Sequence, residues 1–291
     1  MDYEKKILSH ITSEIISGDI KIGKHLIHYI EVGEGKPIVM VHGVNIGLGQ
    51  WYKNIEELSK KFKVYAIDLP GAGKSSSVDY RKLDINKDFL DIVLEFIKEK
   101  NIIRPHVIGH SVGGWIALKL AALHGNKVDK IVAVSPVGLS NYLPLSYRLI
   151  SFYPFARLLS LTILKPSRKN IKKFIVGPFV NKEEIDDIFI DYFYNAIGED
   201  PKKHPIMFIN SLSGFLKIKN DFSLVSLLKN IKNDTLLIFG EHDKMVSYNR
   251  CIKQIECITN CSKEIFKNVG HVATLENCEL FNKKVLNFLQ K

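Results

Sequence analysis

The 291 residues carry 41 Lys and Arg against 31 Asp and Glu, a net charge of +10, and are 46% hydrophobic and 25% charged. This is ordinary globular composition, long enough for one large domain or two modest ones. The basic excess is almost all lysine and no RNA- or DNA-binding motif accompanies it, so nucleic acid is not expected as a partner.

At the N-terminus, MDYEKKILSHITSEIISGDI contains acids and no long apolar run, which excludes a secretory signal. Ile7, Leu8, Ile11, Ile15 and Ile16 share a helical face and predict an amphipathic helix. HLIHYIEVG (25–33) and PIVMVHG (37–43) read as two strands joined by a Gly-Glu-Gly turn. Trp51, Ile55, Leu58 and Phe62 recur at helical spacing before the apolar run VYAID (64–68). Phe89, Ile92, Val93, Phe96 and Ile97 mark another amphipathic helix. HVIG (106–109), a Gly- and Ala-rich helix (112–123) and IVAVS (131–135) continue the alternation. Short apolar strands separated by helices predict an α/β fold with a parallel sheet covered on both faces.

From about Ser140 to Leu228 the rhythm stops, and the segment reads as helical, irregular and rich in aromatic residues. Its longest apolar stretch, Leu149 to Leu164, is interrupted by Pro154 and Arg157, too short and broken for a membrane span. The α/β rhythm resumes with TLLIFG (235–240), a helix around Tyr248–Ile255, strand KEIFK (263–267) and a final helix (278–289). This divides the chain into a first core part (1–139), a helical insertion (140–228) and a second core part (229–291). Cys251, Cys257, Cys261 and Cys278 match no zinc-binding spacing and read as thiols of a reducing compartment. The expected location is cytoplasmic, and no metal or cofactor site is expected.

The chemistry concentrates at strand ends. HVIG runs into Gly109-His110-Ser111-Val112-Gly113-Gly114 and then a helix, so GxSxG falls on a strand-to-helix turn that lifts the serine hydroxyl out of the sheet. A serine nucleophile needs a base, and the base needs an orienting carboxylate. TLLIFG ends in Glu241-His242-Asp243, and KEIFK is followed by Asn268-Val269-Gly270-His271. In a parallel sheet these ends share one edge with Ser111, which nominates Asp243 as acid and His271 as base. His42-Gly43-Val44 ends another strand, and the backbone N–H groups of Val44 and Val112 are the expected oxyanion donors. His42 reads as a packing or hydrogen-bonding residue. Gly71-Ala72-Gly73-Lys74-Ser75 imitates a phosphate loop, but Asp68 stands where its first glycine belongs and more naturally braces the loop.

The run HGxN, DLPGAGKS (68–75), GHSVGG, GEHD and GH resembles the α/β-hydrolase superfamily over nearly the whole chain, in that family's order of Ser, Asp and His. The resemblance implies a mostly parallel central sheet flanked by helices, with a helical cap inserted after the sixth strand, IVAVS. It implies ester, thioester, amide or C–C bond hydrolysis without metal or organic cofactor. Serine at the elbow, rather than aspartate, argues against the dehalogenase and epoxide-hydrolase branches. The leading expectation is a capped, esterase- or lipase-like enzyme cleaving a carboxylic ester or thioester of a largely apolar substrate through an acyl-enzyme. The alternatives are a C–C bond hydrolase of a vinylogous keto acid, whose extra carboxylate a basic cap could hold, and a lipid-docking hydrolase-like protein. Between Ser140 and Lys182 there is no Asp or Glu, while Arg148, Arg157, Lys165, Arg168, Lys169, Lys172, Lys173 and Lys182 interleave with apolar residues. That stretch is either a pocket lid with solvated lysines or a surface that meets anionic lipid.

Overall fold

The parallel strands are apolar along their whole length because both their faces are covered. In the computed structural model, which describes residues 2–43, 46–165, 167–198, 205–214 and 217–291, eight strands form one sheet in the order β1-β2-β4-β3-β5-β6-β7-β8. They are β1 (Ile15–Ile22), β2 (His25–Val32), β3 (Pro37–Val41), β4 (Lys63–Ile67), β5 (His106–His110), β6 (Ile131–Val134), β7 (Thr235–Gly240) and β8 (Cys261–Phe266). The β1–β2 and β2–β4 pairs are antiparallel and the remaining pairs parallel. Side chains alternate between faces: Val39, Val107, Ala133 and Leu237 enter one apolar cluster, and Met40, Ile108, Val132 and Ile238 the other.

The helices are α1 (Tyr3–Ile7), α2 (Ile55–Ser59), α3 (Asp91–Glu99), α4 (Val112–His124), α5 (Leu145–Arg148), α6 (Tyr153–Leu161), α7 (Arg168–Val176), α8 (Asp187–Ile197), α9 (Pro205–Leu212), α10 (Tyr248–Ile255), α11 (Ala273–Glu276) and α12 (Cys278–Leu289). Side chains of α3, α4 and α10 pack on the first face; those of α1, α2 and α12 pack on the second. Helices α5 to α9 all lie between β6 and β7, so this is the α/β-hydrolase architecture with a helical cap after the sixth strand. None of the described helices is long and apolar enough to cross a membrane.

The N-terminal expectation needs correction. Only Tyr3–Ile7 is helical, and Ile15 and Ile16 begin β1. Gly18 disfavours a helix there, while β-branched Ile15, Ile16, Ile20 and Ile22 suit a strand. A two-residue turn, Gly23-Lys24 with Gly23 at φ 56°, pairs Ile22 with His25.

Helix α1 is tied to the sheet through a buried charge cluster. Both ring nitrogens of His28 face carboxylates, Nδ1 at 2.7 Å from Asp19 and Nε2 at 2.9 Å from Glu4, and Glu4 also pairs with Lys74 at 3.0 Å. Burial opposes charging of His28, but Glu4, with Asp68 and Asp19, outweighs it and raises its pKa to about 9. A histidine raised in the folded state contributes stability that is fully present below its unfolded pKa, about 6.5, and is lost as pH rises through the folded value. The melting temperature is therefore expected to fall between pH 6.5 and about 9.5, by a contribution on the order of 1–3 kcal/mol. His28→Gln, uncharged throughout, should lack that slope; identical slopes for both proteins would refute the assignment.

Candidate active site

Ser111 sits between β5 and α4 at φ 54° and ψ −109°, in the positive-φ region that side chains rarely occupy. The turn is possible only because its flanks lack side chains: a Cβ on Gly109 would collide with the Gly113 carbonyl, and one on Gly113 with the Val41 carbonyl. Ser111 N–H donates to the Val134 carbonyl at 2.8 Å, tying the turn to β6. The side chain is 1% exposed and its Oγ has no hydrogen-bond partner among the described residues.

Asp243 follows β7 and His271 follows β8, and the two meet at 2.8 Å between Asp243 Oδ2 and His271 Nδ1. The other carboxylate oxygen accepts the N–H groups of Met245 at 2.8 Å and Val246 at 2.9 Å. Burial opposes ionisation of Asp243, but His271 and these donors outweigh it and hold its pKa below the ordinary value. Glu241, the neighbouring acid, is exposed and accepts only the N–H of Asn268 among its described contacts with backbone donors. His271 and Ser111 line one pocket.

Of the two expected oxyanion donors, Val112 is the first residue of α4, where helix N–H groups lack intrahelical acceptors; Val44 lies outside the described residues. The strand end before it is braced on both sides. His42 Nε2 accepts the Leu69 N–H at 2.9 Å, so its Nδ1–H donates to the Gly43 carbonyl at 2.6 Å. Burial lowers the His42 pKa to about 4, keeping the ring neutral. Gly43 N–H donates to Gln50 Oε1 at 2.9 Å. Asp68 accepts from Leu48 N–H at 2.6 Å and Lys74 N–H at 2.8 Å, so the phosphate-loop lookalike is a carboxylate-braced turn. Burial pushes the Asp68 pKa up to about 7, against the charge of His28 and these donors.

Two contributors carried no signal in the sequence. His110 Nε2–H donates to the His271 carbonyl at 3.0 Å, leaving Nδ1 as an unpartnered buried acceptor. Burial, reinforced by His271, depresses its pKa to about 3. Glu276, 4% exposed, accepts four backbone N–H groups: Val180 at 2.8 Å, Asn181 at 3.1 Å, Gly270 at 2.9 Å and Val272 at 3.2 Å. One carboxylate thus holds both the His271 loop and the cap backbone above it. The His271 N–H itself donates to Pro178 of the cap at 3.0 Å.

The pocket is walled by Tyr147, Phe174, Phe179, Phe189, Phe193 and Met245, with Ser111, His110 and His271 at its polar end. No Lys, Arg, Asp or Glu lines it among the described residues. An adjoining cleft shares Tyr147, Pro178, Phe179 and Met245 and adds His242 and Lys244. Glu4, His28 and Asp68 are close enough together to suggest a metal site, but both nitrogens of His28 are engaged by carboxylates, which leaves the ring no lone pair to offer. The four cysteines are free thiols.

Glu276→Gln puts an amide NH₂ where N–H groups now point, at a cost of about 1–3 kcal/mol for a donor left unsatisfied. It is expected to lower the melting temperature and slow fluorophosphonate labelling of Ser111 while the folded far-ultraviolet spectrum persists. Labelling and melting both unchanged would show that Glu276 does not position the loop.

A family profile described as the α/β-hydrolase fold matches residues 36–159. The chain is 29% identical over 275 residues to a 2-hydroxy-6-oxononadienedioate/2-hydroxy-6-oxononatrienedioate hydrolase of Pseudomonas putida, covering 91% of each chain. It is 26% identical to a 2-hydroxy-6-oxo-6-phenylhexa-2,4-dienoate hydrolase of Comamonas testosteroni, covering 91% of this chain and 92% of that one. Its fold superimposes on the 2-hydroxy-6-oxo-6-phenylhexa-2,4-dienoate hydrolase of Rhodococcus sp. strain RHA1 with a TM-score of 0.79 and 20% identity, over 96% of this chain and 100% of that one; that likeness shows the fold alone. These findings overturn the expectation of ester cleavage. The compounds in the relatives' names contain a ketone, an enol and carboxylate but no ester, so a hydrolase acting on them breaks a carbon–carbon bond. A serine hydroxyl backed by histidine and aspartate at strand ends suits either kind of carbonyl, and nothing in the motifs names the leaving group. The sheet, the serine elbow at the end of β5, the helical cap and the profile match across β3 to β6 together give this chain the α/β-hydrolase fold.

Proposed function

We propose that the protein hydrolyses a carbon–carbon bond in a vinylogous keto acid, with Ser111 as nucleophile, His271 as general base and acid, and Asp243 orienting the imidazole. The observation that carries this reading is the Asp243–His271 pair beside Ser111 in an otherwise apolar pocket, in a chain whose curated relatives are named for dienoate substrates. A ketone ordinarily has no leaving group. In a 2-hydroxy-6-oxo dienoate, moving the enol proton to the carbon beside the ketone turns the rest of the chain into an electron sink. His271 takes the Ser111 proton as Oγ adds to the ketone, and the oxyanion forms at the N-terminal turn of α4, where the Val112 N–H and the helix dipole favour negative charge. Collapse breaks the bond to the neighbouring methylene, and its electron pair runs through the conjugated chain to the far keto oxygen. His271 returns its proton to that dienolate. Water, deprotonated by the same imidazole, then splits the acyl-serine and releases a carboxylic acid.

The wall of Phe174, Phe179, Phe189 and Phe193 suits an aryl or alkyl group on the ketone. With no cation among the described lining residues, the substrate carboxylate is best met in the adjoining cleft by Lys244 and His242.

Incubation with 2-hydroxy-6-oxo-6-phenylhexa-2,4-dienoate should bleach its dienolate absorbance and release benzoate. Ser111→Ala should do neither. Asp243→Asn should lose about 10⁴-fold in kcat, because its amide holds the wrong imidazole tautomer. Lys244→Met should raise KM about tenfold with a smaller change in kcat, the effect of one charge-assisted contact of about 1.4 kcal/mol. Failure to release benzoate from protein whose Ser111 still reacts with fluorophosphonate would overturn the C–C reading.

A further inference from the structure

Half of the cap presents apolar side chains outward as well as inward. Along α5, the turn after it and α6, Ile150 and Ala156 are buried against Ile206 and Ile209, and Tyr147 reaches the pocket wall. On the same short stretch Leu145, Leu149, Phe152, Leu158, Leu161 and Ile163 are 46% to 74% exposed. Exposed large apolar residues elsewhere, such as Ile103 and Ile265, are scattered. A helix apolar on all sides belongs in an apolar surrounding, and a contiguous apolar patch rimmed by polar groups marks a surface that something covers.

The charge around the patch selects the partner. No Asp or Glu occurs between Ser140 and Lys182. Arg157 within α6 and Lys165 just beyond Ile163 are exposed, and Arg157 contacts only the Tyr153 hydroxyl, at 3.4 Å, in its described side-chain bonds. By contrast, the Arg168 and Lys172 side chains of α7 are engaged by Asp187 and Asp191, so half of the α7 cations are neutralised, whereas among the described residues neither Arg157 nor Lys165 beside the apolar patch meets a carboxylate. A second copy of the chain docking through this same segment is a poor occupant: it would bring Arg157 and Lys165 to an interface in which neither copy's segment offers an acid to pair them. An interface that takes apolar side chains and cations together is the headgroup region of an acidic membrane.

We infer that the outer face of α5 and α6 docks reversibly on anionic lipid bilayers, placing the wall of the Ser111 pocket next to the apolar phase. The test is co-sedimentation of the full chain with phosphatidylcholine vesicles, with and without phosphatidylglycerol, at low and high salt. Binding should require phosphatidylglycerol and weaken as salt screens the attraction. Joint Phe152→Ser and Leu158→Ser substitution, and joint Arg157→Glu and Lys165→Glu substitution, should each reduce it about tenfold or more. Fluorophosphonate labelling of Ser111 should be unchanged in both, since these residues lie outside the pocket. Absent or lipid-independent binding, variants that bind like the parent, or a dimer dispersed by the Phe152 and Leu158 substitutions would each overturn the inference.

Discussion

Where β5 turns into α4, two backbone segments pass so closely that neither Gly109 nor Gly113 can carry a side chain. That approach holds Ser111 at φ 54°, and the parallel register opposing Val41 to Gly109 sets the end of β3 beside it. Gly43 then lies against His110 and Ser111, where an added Cβ would stand 2.7 Å from His110 Nδ1 and 3.4 Å from Ser111 Cβ. Three elements far apart in the chain are thus fixed at one point. The same register carried across β6, β7 and β8 delivers Asp243 and His271 to the same edge. A strained turn persists only where its surroundings over-determine it, and here those surroundings are the centre of the sheet.

Cap and core share hydrogen bonds at the site itself. Glu276 binds backbone from both, and Pro178 accepts the His271 N–H. Farther along, the Tyr192 hydroxyl accepts the Gly49 N–H at 3.1 Å, and Tyr52 stacks on Phe189 while its hydroxyl donates to Asp186 at 2.6 Å. Helices α7 and α8 therefore belong mechanically to the core, their Ile171, Phe189 and Phe193 side chains continuing the apolar cluster on that face of the sheet. Helix α9 sends Met207, Phe208 and Leu212 into the cluster on the other face of the sheet and turns Ile206 and Ile209 toward Ile150 and Ala156. The pocket is therefore walled by helices anchored on both faces of the core, and only the α5 and α6 side also carries the outward apolar face.

Neutral and charged histidines divide the labour. His42 and His110 are held neutral by burial and act through directed hydrogen bonds to backbone carbonyls. His28, equally hidden, is held charged because three carboxylates surround it. The difference is the company each ring keeps, which residue type does not announce.

Much was legible from local pattern. Strands β3, β5, β6 and β7 stood out because burial on both faces requires unbroken apolar runs, and the glycine pair around Ser111 follows from the geometry of a tight strand-to-helix turn. Strand β1 did not, since an edge strand half open to solvent keeps a weak alternation and its isoleucines also fit a helical face. Glu276 and His110 were invisible because their partners are backbone groups up to 161 residues away. The ion pairs of Arg168 and Lys172 arise only when α7 meets α8. The sequence by itself determined the α/β order, the strained serine turn and the placement of Ser111, Asp243 and His271 at strand ends, since each depends on residues adjacent in the chain. Only the tertiary structure decided how the site is braced, which cap cations are paired and how apolar the pocket is, because these depend on packing between segments that no local pattern records.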